Sequence, residues 1–118
     1  MSHDFEVAGD TVWSPARRAG LVYAGFARVV GDVLGQETGL TPTPEDVTQI
    51  DPDVFAGFVD GLLDMYSRSN HQILHAHLTP VIEVSLVILE RAGRPWPDDD
   101  PRLTPFKGYP AVGLRMPR

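Results

Sequence analysis

Three of the four histidines, His71, His75 and His77, fall within the stretch NHQILHAHLTP, residues 70–80. Imidazole is the side chain that binds metals and exchanges protons near neutral pH. A helix turns about 100° per residue, so His71 and His75 are neighbours on one face while His77 stands about 160° from His75. The i,i+4 pair has the spacing of helical zinc ligands, but one helix cannot aim all three rings at one ion. A closed zinc site needs four ligands. The chain has no cysteine, which leaves His3, Glu83 and scattered aspartates as the remaining stock. Zinc on His71 and His75 is therefore the lesser expectation. Hydrogen-bonded helix residues are the leading one, and no cofactor is expected.

The second group with chemical potential is a row of acids, Asp53, Asp60 and Asp64, on one side of a single amphipathic segment. Paired carboxylates can split their pKa values and perform acid–base work, which needs a desolvated cleft. Here the row lies opposite the apolar face, so a solvated surface is expected, with recognition of a basic partner as the functional alternative. Like charges one turn apart oppose helix formation by a few tenths of a kcal/mol. The same segment holds Gly57 and Gly61, each costing about 1 kcal/mol relative to alanine in a helix interior. Close approach of another backbone is the expected compensation. Phosphate-binding glycine loops (GxxxxGK, GxGxxG) and the GxSxG elbow are absent from the sequence.

Five segments must position these residues. DFEV and TVW flank AGD and predict an N-terminal β-hairpin. Ser14 and Pro15 predict the cap and first position of a helix whose apolar residues fall at 19, 22, 23, 26, 27, 30, 33 and 34, ending at Gly35 or Gly39. QETGLTPTPEDVTQI reads as a connection of turn formers, with room for one short turn near 45–49. Asp51 and Pro52 open a second helix with apolar residues at 55, 58, 59, 62, 63 and 66. A third begins with Asn70 as its expected cap, and Thr79-Pro80 marks either a fresh start or a kink. From Val81 to Leu89 only Glu83 and Ser85 are polar, which predicts the central helix of a bundle.

After Gly93, six prolines in 25 residues argue against regular helix or central strand. An extended tail over 94–118 is expected beside a globular domain over 1–93, with Trp96, Phe106 and Tyr109 as anchors for the body or for a partner.

The net charge is −6. Residues 1–93 hold 5 Arg/Lys against 13 Asp/Glu, and residues 94–118 hold 5 against 3. An acidic body argues against binding nucleic acid, which needs a basic face. The N-terminus lacks an apolar signal core, and the run around Val81–Leu89 is interrupted by Glu83 and Glu90, so a soluble, cytoplasmic protein without a membrane partner is expected.

VAGDTVWSP, TQIDPDVFAGFVDGLL and VILERAG together resemble a family of small uncharacterised actinobacterial proteins with an N-terminal β-hairpin followed by helices. The likeness spans about residues 4–93. It implies a source and an order of elements, and no activity.

These readings converge on an α+β domain dominated by α: a short hairpin packed on three main helices, then the tail. The leading functional expectation is a non-enzymatic protein-binding module, in its narrower form an immunity-type inhibitor docking Asp53, Asp60 and Asp64 on a basic partner. The alternatives are a metal-dependent or acid–base enzyme using His71 and His75, and a self-associating module using Gly57 and Gly61 or its tail.

Overall fold

The computed structural model describes residues 1–118. It is an α+β fold in which a small N-terminal sheet precedes the helices. The hairpin forms as expected from β1 (Asp4–Val7) and β2 (Asp10–Trp13), with Ala8 and Gly9 both at positive φ in the turn. A bulge between Phe5 and Glu6 turns Phe5 and Trp13 toward the core, where their rings stack at 4.9 Å.

The hairpin is half of a larger sheet. The connection read as turns contributes β3 (Leu40–Pro42) and β4 (Val47–Ile50), giving the order β2-β1-β4-β3, with β4 parallel to β1 and antiparallel to β3. Pro42 is tolerated because β3 is an edge strand, where a missing donor breaks no ladder. Asp46 at φ +59° turns the chain between the two strands. Its carboxylate receives Arg17 at 2.8 Å, and its carbonyl receives the Asp4 amide.

Helix α1 (Arg17–Leu34) starts two residues later than Ser14 and Pro15 suggest. The residues before it are occupied with the N-terminus. Ser2 bridges to Ala16, the His3 amide donates to Pro15, and the Ser14 hydroxyl donates to Asp4 at 2.6 Å. Gly35 ends α1 in the left-handed conformation. Helix α2 (Pro52–Ser67) opens as read: the Asp51 carboxylate accepts the amides of Asp53 and Val54, and Pro52 takes the first position.

Helix α3 (Gln72–Arg91) runs unbroken through Pro80, so Thr79-Pro80 lies within a longer helix. It touches α1, α2, β2 and the C-terminal elements and buries Leu78, Ile82, Leu86, Ile88 and Leu89. Over its most apolar 18 residues the mean hydropathy is 1.5, a length and composition that could cross a bilayer. Its apolar residues are those of a central core helix.

Residues 94–118 differ from the expected extended tail. Pro101–Phe106 coil into a 3-10 helix capped by Asp100, and Tyr109–Gly113 form a short helix, α4. Proline at the first turn of each is compatible with helix, because no intrahelical donor is lost there. Leu103, Phe106, Tyr109 and Met116 are buried in the same core as the helices. The Ser14 amide donates to the Pro117 carbonyl at 2.6 Å, so the segment wraps from α2 back to the sheet.

Candidate interaction surface

The histidines go to three separate tasks. His71 lies outside the helix, with an extended backbone, and its Nδ1 accepts the Leu74 amide as the N-cap of α3, in place of Asn70. The i,i+4 helical pairing expected of His71 and His75 fails for that reason. The His75 ring stacks on Tyr66 at 3.8 Å, and its Nε2 donates to the Tyr66 carbonyl at 3.0 Å. His77 stands edge-on to Phe26, 6.2 Å between ring centres. No three His, Asp or Glu side chains come together in a geometry that could hold a metal ion. The fourth histidine, His3, is buried; its Nε2 meets the Thr48 hydroxyl at 2.7 Å, and Asp46 lies 3.6 Å from its Nδ1.

The acidic row of α2 is engaged by the chain's own C-terminal arginines. Asp53 pairs with Arg94. Arg102 reaches Asp60 at 2.7 Å, Asp64 at 3.7 Å and Asp100 at 2.8 Å, and Asp64 also takes Arg68 at 3.3 Å. Hydrogen bonds from Arg102 and from the Trp96 indole hold the Asp100 carboxyl well below the usual carboxylate range. Sequence reasoning saw the acids and missed Arg94 and Arg102, which lie 41 and 42 residues from Asp53 and Asp60. The one available signal was the basic balance of residues 94–118 beside an acidic body.

Gly57 and Gly61 separate. A Cβ at Gly61 would collide with the Gln36 side chain and meet Leu34 at 3.3 Å, so the packing at Gly61 is intramolecular but made by side chains and not by the second backbone expected there. A Cβ at Gly57 would meet nothing within 4 Å, and the close packing expected there is absent. The three aromatic anchors all turn to the body. Trp96 packs against the core and donates to Asp100, Phe106 is buried edge-on to Tyr66, and Tyr109 donates to Glu90 at 3.0 Å. Burial, and then the adjacent Glu90 carboxylate, push the Tyr109 phenol up to about 12.

The surface that remains without partners lies elsewhere. Val22 (69 % exposed), Val29 (56 %) and Val33 (72 %), spaced to share one face of α1, and Ile73 (61 %) on α3 are bare aliphatic side chains. Two clefts open between α1 and α3. The larger, about 470 Å³, is lined by Ala19, Val22, Phe26, His77, Pro80 and Val84 among others, with Arg18 at its edge. The smaller, about 110 Å³, lies between Phe26, Val33, Leu74 and His77. The two helices run antiparallel, since the start of α1 faces Val84 and its end faces Leu74. Of the eight apolar positions of α1, Ala19, Val22 and Val33 stay exposed, and Val29 outside that set joins them. A polar cleft of about 680 Å³ at the other side of α1, between Arg28, Asp32, Glu37 and Asp51, brings no nucleophile and base together.

These features define a small α+β domain with a self-neutralised acidic helix and one uncovered apolar face. The chain belongs to DUF6086, a family of unknown function, which matches it over residues 1–118, C-terminal segment included. No curated protein and no solved structure matches it.

Proposed function

We propose that the chain is a non-enzymatic protein-binding module that docks through the α1–α3 face onto a protein presenting an apolar helical surface. The observation that carries this reading is the pair of exposed valines, Val22 and Val33, that line apolar clefts shared with Phe26 and His77, with exposed Val29 between them on the same face of α1. Isolated exposed aliphatics are ordinary, whereas contiguous ones rimmed by polar groups mark interaction sites. Grooves between helices receive apolar helix faces in this way.

The narrower immunity-type reading has less support, because Arg94 and Arg102 already neutralise much of the Asp53–Asp60–Asp64 row. A cysteine-free chain suits a reducing cytoplasm, and nine arginines against one lysine suit an actinobacterial source.

Site-specific photo-cross-linking in the host tests the reading. A photoreactive residue at Val33 or Ile73 should give discrete protein adducts, and one at Asp64 should give none. Adducts from Asp64 with none from Val33 or Ile73 would return the acidic helix as the docking surface.

A further inference from the structure

We infer that the protein docked on α1 is a second copy of the same chain, paired about a two-fold axis with the two α1 helices antiparallel. This rests on the proposed docking surface and specifies its occupant: the seam of α1 adjoins the α1–α3 cleft through Arg18 and Val22 and reaches the polar cleft at its far end through Asp32. The outward seam of α1 reads Arg18, Val22, Gly25, Val29 and Asp32, steps of four, three, four and three residues. That spacing keeps one line of side chains facing a neighbouring helix. The seam is apolar or small within and carries opposite charges at its two ends.

The charge pattern is complementary to itself. Arg18 and Asp32 lie about 21 Å apart along the axis. Reversing a second α1 about a point beside Gly25 sets Arg18 of each copy opposite Asp32 of the other and interleaves Val22 with Val29. Both charges are free for this. Arg17 is committed to Asp46, whereas neither Arg18 nor Asp32 has an ion-pair partner within the chain. Gly25 supports the same crossing point. A Cβ there would meet nothing within 4 Å, so nothing inside the fold requires glycine in mid-helix, while a second backbone at close approach would. The α2 face, also with a bare glycine at Gly57, fails this test: Asp53, Asp60 and Asp64 are already paired within the chain and leave no opposite charges free to exchange between copies. Isologous pairing demands a patch that matches its own two-fold image, and the α1 seam has that property.

Light scattering of the full chain over a dilution series from about 1 to 200 μM tests the inference. The mass should rise toward twice the 13.0 kDa of the chain. Arg18→Asp and Asp32→Arg, alone, should each move the midpoint about tenfold or more to higher concentration, because two attractions become two repulsions per dimer. The double variant restores both pairs and should return the midpoint to near its original value. Val29→Glu should hold the chain monomeric with unchanged circular dichroism and with the thermal midpoint that the native chain shows at its lowest, monomeric concentration, which separates lost pairing from lost folding. A single-chain mass at every concentration, or a dimer indifferent to all three charge variants, overturns self-pairing through α1. If that result comes with cross-links from Val33 to another protein, the docking surface stands and only its occupant changes. If it comes with no adducts, both readings fall.

Discussion

One hydroxyl, that of Ser85, illustrates how polar groups are placed in this core. It donates to the Val81 carbonyl at 2.6 Å and so accepts from the Tyr23 phenol at 2.7 Å. Burial raises the Tyr23 pKa, which keeps the phenol protonated as a donor. Removing either partner has unequal consequences. Tyr23→Phe should cost about 1 kcal/mol, the net value of one hydrogen bond, whereas Ser85→Ala strands a buried donor and should cost about 1–3 kcal/mol. Urea titrations of the two variants check the order. Asp100 provides a pH-dependent counterpart. Its folded pKa is depressed, first by Arg102 and then by Trp96. Its stabilisation is therefore complete above the unfolded value of about 3.9 and fades as pH falls through the folded one. Acid titration followed by Trp96 fluorescence, with Trp96→Phe as the blank for Trp13, should show the C-terminal segment loosening below about pH 4. Asp100→Asn should remove that acid limb and lower stability at neutral pH.

At the scale of elements, legibility followed the range of the interactions. The hairpin turn, the Asp51 cap and the periodicity of the three helices are set by residues within a few positions, and all were readable. Strands β3 and β4 were not, because each is short and exists only by pairing with β1 or with the other. The N-terminus of α1 was misread because Ser14, a good local cap, meets Asp4 instead. The candidate site followed the same rule. The acids of α2 were visible, while their neutralisation by Arg94 and Arg102 depends on contacts across the fold. The uncovered stripe of α1 was visible as apolar residues, with no local sign that only part of it is buried. Gly39 shows how tightly β3 joins α2: at φ +79°, a Cβ would lie 2.6 Å from the Phe55 amide nitrogen. Gly39→Ala should destabilise the protein by about 3 kcal/mol or more, combining backbone strain with overpacking. Thermal and chemical unfolding measure it, and a loss under about 1 kcal/mol would show that the strand start can shift.

Across the whole molecule, the C-terminal segment is the part that joins the others. Leu103 and Phe106 seal α2 and α3. Arg91 donates to the carbonyls of Val12 and Gly113, tying α3 to the sheet and to α4. Leu103→Ala and Phe106→Ala should each cost about 2–5 kcal/mol, the range for emptying a buried site. A chain cut after Gly93 should unfold at a markedly lower urea concentration than the full chain. Equal midpoints would show that residues 1–93 hold together alone. The family match over residues 1–118 agrees with a fold in which these residues are part of one core.

The placement of Met116 in that core also has a consequence in time. A ribosome makes α3 before the elements that cover it. At about 5–20 residues per second, the residues from Ala92 to Met116 take roughly one to five seconds to appear. Until they are made, α3 lacks the Leu103, Phe106 and Tyr109 side chains that share its core, so its burial is completed only after them.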